Sequence, residues 1–493
     1  MYKYFKNIAE KSSCSMSGAC SVHPTISALY DILLYEIRET VFYLVKMKEF
    51  GFLYKEAQNI CIQALSLFLI NTSLNENKYL KIIKNLDKTK KHLKQEYEKY
   101  CLDSELPCEI LKTNIKIDEN ITITQLIEYA QINSTNKLKI LDKSKQSLFE
   151  LISLFAKLSA VLICKIKRYE NNYDEFDYEV LRFFALTNAY SIRIEKIKRR
   201  IQEFCTVALN LREKLILITQ NRYGKKQNAV IQTSENKGHS ILVSGDDLYE
   251  LEMLLKTIEE LNIQEDINVY TNGSLLLAHF YPYFQKNKFL KGHWGVNDAQ
   301  YDFSKFEGAI LITRNFLQKI DSLYKGEIFS SKVISFSKVK DIINDNYEPI
   351  IKSALSNIGF LKHNKKPSLN INYDIDKITT TIDEIIENKI QEVIIVAGSL
   401  ESKKVLEKYE NKTIIHFSIP LETDILLKSI QRLHENNIKI TVFFAHCDLE
   451  SLYSLFILLD KDIDLYISNC SHIIINPHVI EAICNYFKVN IIN

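Results

Sequence analysis

The chain has 493 residues, 46% of them hydrophobic, and carries a formal net charge of +2. This length exceeds what one hydrophobic core usually serves, so two or three domains are expected. The hydrophobic fraction excludes a generally disordered chain. The near-neutral charge creates no strong field toward nucleic acid or a membrane surface, so we expect neither as a partner.

The N-terminus and the cysteines favour a cytoplasmic protein. Residues 1–7 lack the apolar stretch of a signal peptide. No apolar run reaches the roughly 18–20 residues that a membrane span needs. The ten cysteines are scattered over a long chain, whereas small secreted disulfide scaffolds concentrate them. We therefore expect reduced thiols and a cytoplasmic location.

About the first 220 residues predict helices by their apolar spacing. One helix is expected from Thr25 to Phe50, opened by Pro24 and stopped by Gly51. The other predicted helices lie near 54–71, 76–101, 138–170 and 176–219. The segment 76–101 is rich in lysine, which we interpret as a solvated helix face, with a binding patch as the alternative.

The pattern changes after the polar, glycine-containing stretch 221–228, which we interpret as a linker. Short β-branched runs then alternate with helical segments, which is typical of parallel α/β layers. Strands are predicted at 240–243, 267–270, 309–312, 333–336, 393–396, 413–417 and 440–444, and helices at 247–261, 401–409, 422–436 and 478–487. A second polar break at 362–368 divides this part, which predicts a helical domain 1–224 and two α/β domains, 225–365 and 366–493.

The loops after the predicted strands are the natural place for a functional site, because open α/β sheets bind ligands beyond the carboxyl ends of their strands. These loops are 244–246, 271–274, 313–316, 398–399, 418–420 and 446–448. They contain neither the glycine-rich dinucleotide fingerprint nor a phosphate-binding Gly-Lys-Ser/Thr sequence.

Three of these segments carry a resemblance to a known family, the hybrid-cluster (prismane) proteins, which are iron–sulfur hydroxylamine reductases. Residues 241–248 read ILVSGDDL and resemble the family's ILVSGHDL. Residues 268–279 read NVYTNGSLLLAH and resemble NVYTHGEMLPAH, and residues 306–316 read FEGAILITRNF and resemble FPGAILMTTNC. Residues 476–479, Asn-Pro-His-Val, resemble the family's closing Ser-Pro-Asn-Val. The chain is therefore identified as a member of this family.

The resemblance implies a fold and a chemistry. The fold is an N-terminal domain of three-helix bundles followed by two Rossmann-like parallel α/β domains. Family members carry a four-iron cubane cluster on four N-terminal cysteines. A mixed iron–sulfur–oxygen cluster between the domains is held by one histidine, two glutamates and four cysteines, with a lysine nearby. The implied activity is reduction of hydroxylamine, with nitric oxide or peroxide handling in some members.

Carried over residue by residue, most mixed-cluster ligands differ here. Asp246 stands at the family's histidine and Ser274 at its first glutamate. The cysteine positions fall on Phe316, Ser399, Ile419 and Cys447, and the last glutamate and the lysine fall nearest Glu450 and Leu452. Iron clusters need thiolate sulfur, imidazole nitrogen or carboxylate oxygen. One retained cysteine cannot replace four, so this cluster is expected to be lost.

The cubane motif changes in the same way. Lys3 and Lys6 occupy the family's first cysteine pair, whereas Cys14 and Cys20 keep the second. An ammonium group has no lone pair for iron. Cys14 and Cys20 are interpreted as relics or small buried side chains, with a shared metal or redox pair as the alternative. Cys447 is interpreted as a packed core cysteine. A zinc set of His446, Cys447, Cys470 and His472 is disfavoured, because its spacing matches no standard zinc site.

Two functions remain open from the sequence. The first is a non-catalytic family member without a cofactor, acting as a binding or regulatory module, as a homodimer or paired with an active paralogue. The rival is an iron–sulfur oxidoreductase with a remodelled metal site near Asp246, Cys447 and Glu450, and a pocket for a small molecule is a third option. His279 and Trp294 lie in matched segments and are expected to have structural roles.

Overall fold

The computed structural model describes residues 24–67, 76–111, 115–137, 142–263, 267–295, 303–313, 324–331, 339–371, 375–397, 412–417, 423–444, 449–461, 463–468, 477–487 and 489–492. The chain forms two compact units, each assembled from separate segments. Unit 1 comprises Met1–Lys139, Cys164–Asp174 and Ile218–Tyr373, and unit 2 comprises Ile140–Ile163, Glu175–Leu217 and Asp374–Asn493. The division into three domains at 224 and 365 stays a prediction.

Four helices form the N-terminal part of unit 1. They are α1 (Pro24–Glu49), α2 (Lys55–Ser66), α3 (Glu76–Asp103) and α4 (Ile123–Lys137). In α1, Leu29, Leu33, Ile37 and Leu44 recur at helical spacing and are buried. This apolar stripe packs α1 against its neighbours, as the sequence pattern predicts.

A buried charge cluster joins α1 to α3. Lys90 Nζ lies 2.7 Å from Glu36 Oε2, 3.2 Å from Glu39 Oε2 and 3.3 Å from Asp87 Oδ1. Burial raises the pKa of Glu36 to about 7, although the ammonium group of Lys90 opposes this shift. Such a cluster specifies one alignment of the two helices, because any other would bury unpaired charge.

A six-stranded parallel sheet is the centre of unit 1. The elements of this region are β1 (Ala229–Ile231), β2 (His239–Ser244), α8 (Leu248–Glu260), β3 (Ile267–Asn272), a 3-10 helix (Gly273–Phe280), α9 (Pro282–Gln285), β4 (Leu290–His293), β5 (Ala309–Ile312), β6 (Ile328–Ser330), β7 (Val339–Asp341), α10 (Glu348–Ser356) and β8 (Leu369–Ile371). The strand order is β4-β3-β2-β5-β6-β7. Neighbouring strands are parallel, with Ile241 opposite Val269 and Ala309.

Both faces of this sheet are covered, which explains why its central strands β2, β3 and β5 are buried along almost their whole length. Ile241 and Val243 of β2 pack on one side with Leu254 and other residues of α8. Leu242, between them, points to the opposite side, into a cluster that includes Trp294. This alternation is the two-residue period of a strand.

A short antiparallel ribbon ties the predicted second break to unit 1. Strands β1 and β8 pair antiparallel, and isolated bridges continue the pairing from Glu235 to Asn364 and from Gly238 to Phe360. Thr233 Oγ1 donates to the carbonyl oxygen of Pro367 over 2.6 Å. The polar stretch 362–368 is therefore held along residues 233–238, and unit 1 continues to Tyr373.

Unit 2 combines helical segments with a five-stranded sheet. Its elements are parts of α5 (Lys143–Tyr169) and α7 (Ile194–Tyr223), α6 (Asp177–Ala185), a 3-10 helix (Leu186–Asn188), α11 (Ile375–Glu387), β9 (Glu392–Ala397), β10 (Thr413–Phe417), α12 (Thr423–Glu435), β11 (Lys439–Phe444), α13 (Leu449–Ile457), a 3-10 helix (Leu458–Asp460), β12 (Asp464–Ser468), α14 (Pro477–Phe487) and β13 (Val489–Ile492). The parallel strand order is β10-β9-β11-β12-β13. Phe155 of α5 packs edge-on against Phe183, Phe204 and Phe456.

Helix α5 is long and apolar enough to cross a membrane, and among the described helices it alone meets that criterion. However, 83% of its most apolar stretch is buried inside the protein. This burial is typical of a core helix.

The predicted fold class is confirmed, since a helical N-terminal region precedes two parallel sheets. The single helix predicted at 176–219 is wrong. Helix α6 ends at Ala185, and Ala189 leaves the helical conformation with φ −88° and ψ 70° before α7 begins at Ile194. Helix α7 also runs two residues past the expected linker start, to Tyr223, where Gly224 with φ +90° ends it. The predicted strand 333–336 and helix 401–409 lie outside the described residues.

Candidate functional site

The candidate site lies at the carboxyl edge of the unit 1 sheet, where the strand order reverses. From β2 the chain builds β3 and β4 on one side and then returns to place β5, β6 and β7 on the other. The strands that follow β2 and β5 in the chain therefore lie on opposite sides of this pair, and sheets of this kind bind ligands beyond the carboxyl ends of the strands at such a point. The backbone N–H groups of Asp246 and Asp247 donate to Thr313 Oγ1 across this point, over 3.2 and 3.3 Å.

The loops after β2 and β3 are in direct contact. The N–H of Gly245 donates to the carbonyl oxygen of Asn272 over 3.3 Å, and the N–H of Leu275 donates to that of Gly245 over 2.9 Å. Gly273 has φ +67°, a conformation that strains other residues. Because β2 and β3 are parallel neighbours, Asp246 and Ser274 both follow strand ends at the same edge of the sheet.

The Asp246 carboxylate is held by a lysine. Lys165 Nζ of α5 lies 3.2 Å from Asp246 Oδ2, and both side chains are about one-fifth exposed, at 20% and 17%. An ion pair at this depth directs a carboxylate oxygen toward the ammonium group. The position that the resemblance assigns to an imidazole ligand thus holds an anion already compensated by the protein.

A second ion-pair cluster lies beside the first. Arg168 Nη1 lies 2.8 Å from Glu250 Oε1 and 3.4 Å from Asp247 Oδ2, while Nη2 lies 2.8 Å from Asp345 Oδ1. The guanidinium group also stacks over Tyr249, 4.6 Å from the ring centroid. Although burial opposes its charge, Asp247 and Glu250 raise the pKa of Arg168 above its usual value.

Local sequence explains how Asp247 comes to be there. Its carboxylate caps the N-terminus of α8 by accepting from the N–H groups of Tyr249 and Glu250, over 3.1 and 3.2 Å. Aspartate is a preferred residue at this position because it satisfies N–H groups that lack a partner within the helix. The same carboxylate therefore orients α8 and faces Arg168.

Two buried histidines lie behind the β3 edge. Thr271 Oγ1 is 2.8 Å from His279 Nε2 and 2.9 Å from His293 Nδ1. Burial, and then the neighbouring His293, lowers the pKa of His279 to about 3, and burial lowers the pKa of His293 to about 4. Both rings are thus neutral near pH 7 and act as hydrogen-bonding core groups. These contacts support the structural role predicted for His279.

Trp294 is also tied into this region. Its Nε1–H donates to Glu235 over 3.0 Å, and its carbonyl oxygen accepts from Asn272 Nδ2 over 2.9 Å. The ring packs edge-on against Phe306. The buried indole therefore fixes the segment after β4 against the β3 edge, in line with the structural role predicted for it.

The described donors do not suit an iron–sulfur cluster. At the two described positions that the resemblance assigns to a histidine and a glutamate ligand, the chain has an aspartate whose carboxylate is paired with a lysine, and a serine hydroxyl, which is a weak donor to iron. Within the described ranges, no group of three or more His, Cys, Asp or Glu side chains is arranged to hold a metal ion.

Several predicted site residues lie outside the described residues. They are Lys3, Lys6, Cys14, Cys20, Phe316, Ser399, Ile419 and Cys447. Glu450 lies in α13, but its side chain is not among those described. Strands β9 and β11, which precede Ser399 and Cys447 in the chain, are parallel neighbours. The ligand assignments of these residues stay predictions.

The partners of the site were missed by sequence reasoning. Lys165 and Arg168 lie about 80 residues before Asp246 and Glu250, the carboxylates that they bind. The apolar pattern of their helix does not predict these ion pairs. Glu250 is fully buried although it follows the predicted helix start closely. A charged residue on the buried face of an amphipathic helix is the signal that could have indicated a buried ion pair.

Comparison with known proteins identifies the relatives of this chain. The Prismane/CO dehydrogenase family matches residues 7–411. A hydroxylamine reductase of Syntrophobacter fumaroxidans is 26% identical over 406 residues, which covers 79% of this chain and 72% of that protein. Another from Thermosipho melanesiensis is 24% identical over 461 residues, covering 89% and 80%. The predicted relationship to the hybrid-cluster proteins is thereby confirmed, and the chain belongs to the Prismane/CO dehydrogenase family.

Proposed function

We propose that this chain is a non-catalytic member of its family that acts as a binding or regulatory module. The observation that carries the proposal is the Lys165–Asp246 ion pair at the switch point of the unit 1 sheet. In the resemblance, position 246 supplies a histidine ligand to the mixed cluster. A carboxylate neutralised by a lysine is a poor substitute, because the metal would compete with an ammonium group already in place.

The neighbouring positions support the same conclusion. Ser274, in the loop that contacts the 245–247 loop, carries a hydroxyl that stays protonated near pH 7 and binds iron weakly. By the resemblance, Phe316 and Ile419 offer no donor atom, and Ser399 offers a second hydroxyl. The N-terminal cubane motif would retain two thiols of four, Cys14 and Cys20, beside two lysines.

The scaffold itself is retained, which is why we propose a binding role rather than a decayed protein. The central strands of both parallel sheets are buried and mainly apolar, and the loops at the unit 1 switch point are held by specific hydrogen bonds. We propose that the partner is a second copy of this chain or a catalytically active paralogue. Sedimentation equilibrium of the purified chain, alone and mixed with an active paralogue, tests this; two monomeric species would contradict it.

Metal content after strictly anaerobic purification tests the loss of catalysis. We expect a colourless protein with iron and sulfide far below one per chain, because most positions that the resemblance assigns to cluster cysteines carry no thiol here. The hydroxylamine reductase of Syntrophobacter fumaroxidans, produced and reconstituted in parallel, is the matched control. Several iron and sulfide per chain, with turnover of hydroxylamine, would refute the proposal and favour the oxidoreductase with a remodelled site near Asp246, Cys447 and Glu450.

A further inference from the structure

Two thiols meet at the end of helix α3, far in sequence from the candidate site. Tyr97 and Cys101 are one helical turn apart in α3, so they lie on the same face, and both are buried. The chain then reverses. The N–H of Leu106 donates to the carbonyl oxygen of Cys101 over 2.9 Å, and Glu105 adopts φ +54°. Pro107 further restricts the backbone of this turn.

The reversal brings Cys108 back over the helix. The N–H of Glu109 donates to Tyr97 Oη over 3.2 Å, which fixes residue 108 beside the helix face that carries Cys101. The segment therefore returns next to the helical turn that carries Tyr97 and Cys101, which places Cys108 near both residues. An ion pair between Glu109 and Lys46 of α1, 3.0 Å long, anchors the returning segment.

The two thiols differ in access. Cys101 is 1% exposed, whereas Cys108 is exposed to solvent, and both are unbridged. This pairing of an accessible thiol with a sheltered neighbour is the arrangement in which one cysteine reacts and the other resolves the product. Buried cysteines without such a neighbour, such as Cys61, are inert side chains.

We propose that Cys101 and Cys108 form a reversible disulfide by exchange with a small disulfide such as oxidised glutathione. The Cys108 thiolate attacks one glutathione sulfur, the glutathione S–S bond breaks, and one reduced glutathione leaves with a proton. The Cys101 sulfur then attacks the Cys108 sulfur and releases the second glutathione. Two protein thiols are oxidised, and one glutathione disulfide is reduced to two thiols.

The environment of Cys108 sets the speed of this exchange. Partial burial, and then the hydrogen bond with Cys101, raises the pKa of the Cys108 thiol to about 11, and the charge of Glu98 acts in the same direction. The thiolate is the attacking species, so exchange is slow at neutral pH and accelerates as the pH rises. A slow, accessible pair of this kind responds to sustained oxidation rather than to brief pulses.

The test is equilibration of the full chain with oxidised and reduced glutathione at pH 8, followed by acid quenching, alkylation and peptide mass mapping. The native protein should show a bridge between the peptides containing Cys101 and Cys108, which excess reduced glutathione removes. Cys101→Ser should instead accumulate glutathione on Cys108, at least about tenfold above the native level, because no neighbouring thiol resolves the mixed disulfide. Cys108→Ser should show neither product, since Cys101 is buried.

Cys101→Ala serves if serine at this buried position disturbs folding, and circular dichroism confirms that each variant is folded. A native protein that carries glutathione on Cys108 without the bridge would overturn the proposal. Alkylation of both thiols in the native protein after full oxidation would overturn it equally. Because Cys101 and Cys108 hold none of the cluster positions, either result leaves the proposal of a non-catalytic family member unaffected.

Discussion

Replacing Arg168 by methionine should destabilise unit 1 by about 3–5 kcal/mol, the usual cost of leaving a buried charge without its partner. The cost arises mainly at Glu250, which is fully buried and receives Arg168 Nη1 at 2.8 Å. Asp345 is 41% exposed, so losing its contact adds at most about 0.5 kcal/mol. Methionine keeps an apolar stem over Tyr249, which limits the change largely to charge.

Urea unfolding monitored by tryptophan fluorescence measures this loss of stability in unit 1. The chain contains one tryptophan, Trp294, which is buried in unit 1 and becomes exposed when that unit unfolds. Lys352→Met is the matched control, because Lys352 pairs with Glu348 on the surface of the same unit, with side chains 73% and 44% exposed. We expect that control to cost less than about 0.5 kcal/mol.

The double variant Arg168→Met with Glu250→Gln separates charge from packing. It should recover at least about 1 kcal/mol of the loss, because no uncompensated carboxylate then remains at position 250. If Arg168→Met costs no more than Lys352→Met, or if Glu250→Gln adds to the loss instead of relieving it, then the cluster does not stabilise unit 1 as argued.

Two further predictions concern the buried histidines and the N-terminal motif. In the folded chain the pKa is about 3 for His279 and about 4 for His293, below the ordinary value of 6.5. As the pH falls, these histidines are therefore protonated in the unfolded chain before they are protonated in the folded chain. The stability that is fully present above pH 6.5 is lost as the pH falls below that value. This pair of histidines should lower the free energy of unfolding of unit 1 by about 4 kcal/mol between pH 7 and pH 5. The variant His279→Gln should halve that decrease. A variant whose free energy of unfolding depends on pH as in the native protein would contradict this prediction. Lys3→Cys with Lys6→Cys should restore a four-iron cluster with its thiolate-to-iron absorbance, because the four thiols then match the family motif. Adding Cys14→Ser should abolish it, and a colourless double variant would show that the motif alone is insufficient.

Strand patterns are local, and the sequence predicted three strands of each parallel sheet: β2, β3 and β5 in unit 1, and β9, β10 and β11 in unit 2. It missed β4, β6, β7, β12 and β13. The run 309–312 is apolar throughout, and β5 spans those same residues. The paired strands β1 and β8 were missed because each has three residues and their partners are more than 130 residues apart. The break between α6 and α7 was missed because the apolar pattern continues through Leu186, although Thr187 Oγ1 bonds back to the carbonyl oxygen of Phe184 and the backbone turns at Ala189.

For the candidate site, the sequence indicated which residues lie at the sheet edge but not which residues form ion pairs with them. The rule that ligands gather beyond strand ends placed Asp246 and Ser274 correctly at one edge. It could not indicate that Lys165 reaches Asp246 or that Arg168 reaches Glu250, because these pairs depend on how α5 packs against the sheet. Ion pairs between residues so far apart in sequence depend on tertiary structure, and local sequence patterns do not predict them.

This coupling explains why a change at position 246 involves more than one residue. In a chain with histidine there, Lys165 would place an ammonium group beside an imidazole that must offer its lone pair to iron. The lysine that stabilises Asp246 would therefore oppose a metal at the same point. A ligand position and its supporting residues have to change together for a cluster to bind, because the residues around a ligand set its orientation and its charge. We expect that Asp246→His alone leaves the switch point unable to bind iron, because Lys165 stays beside that position.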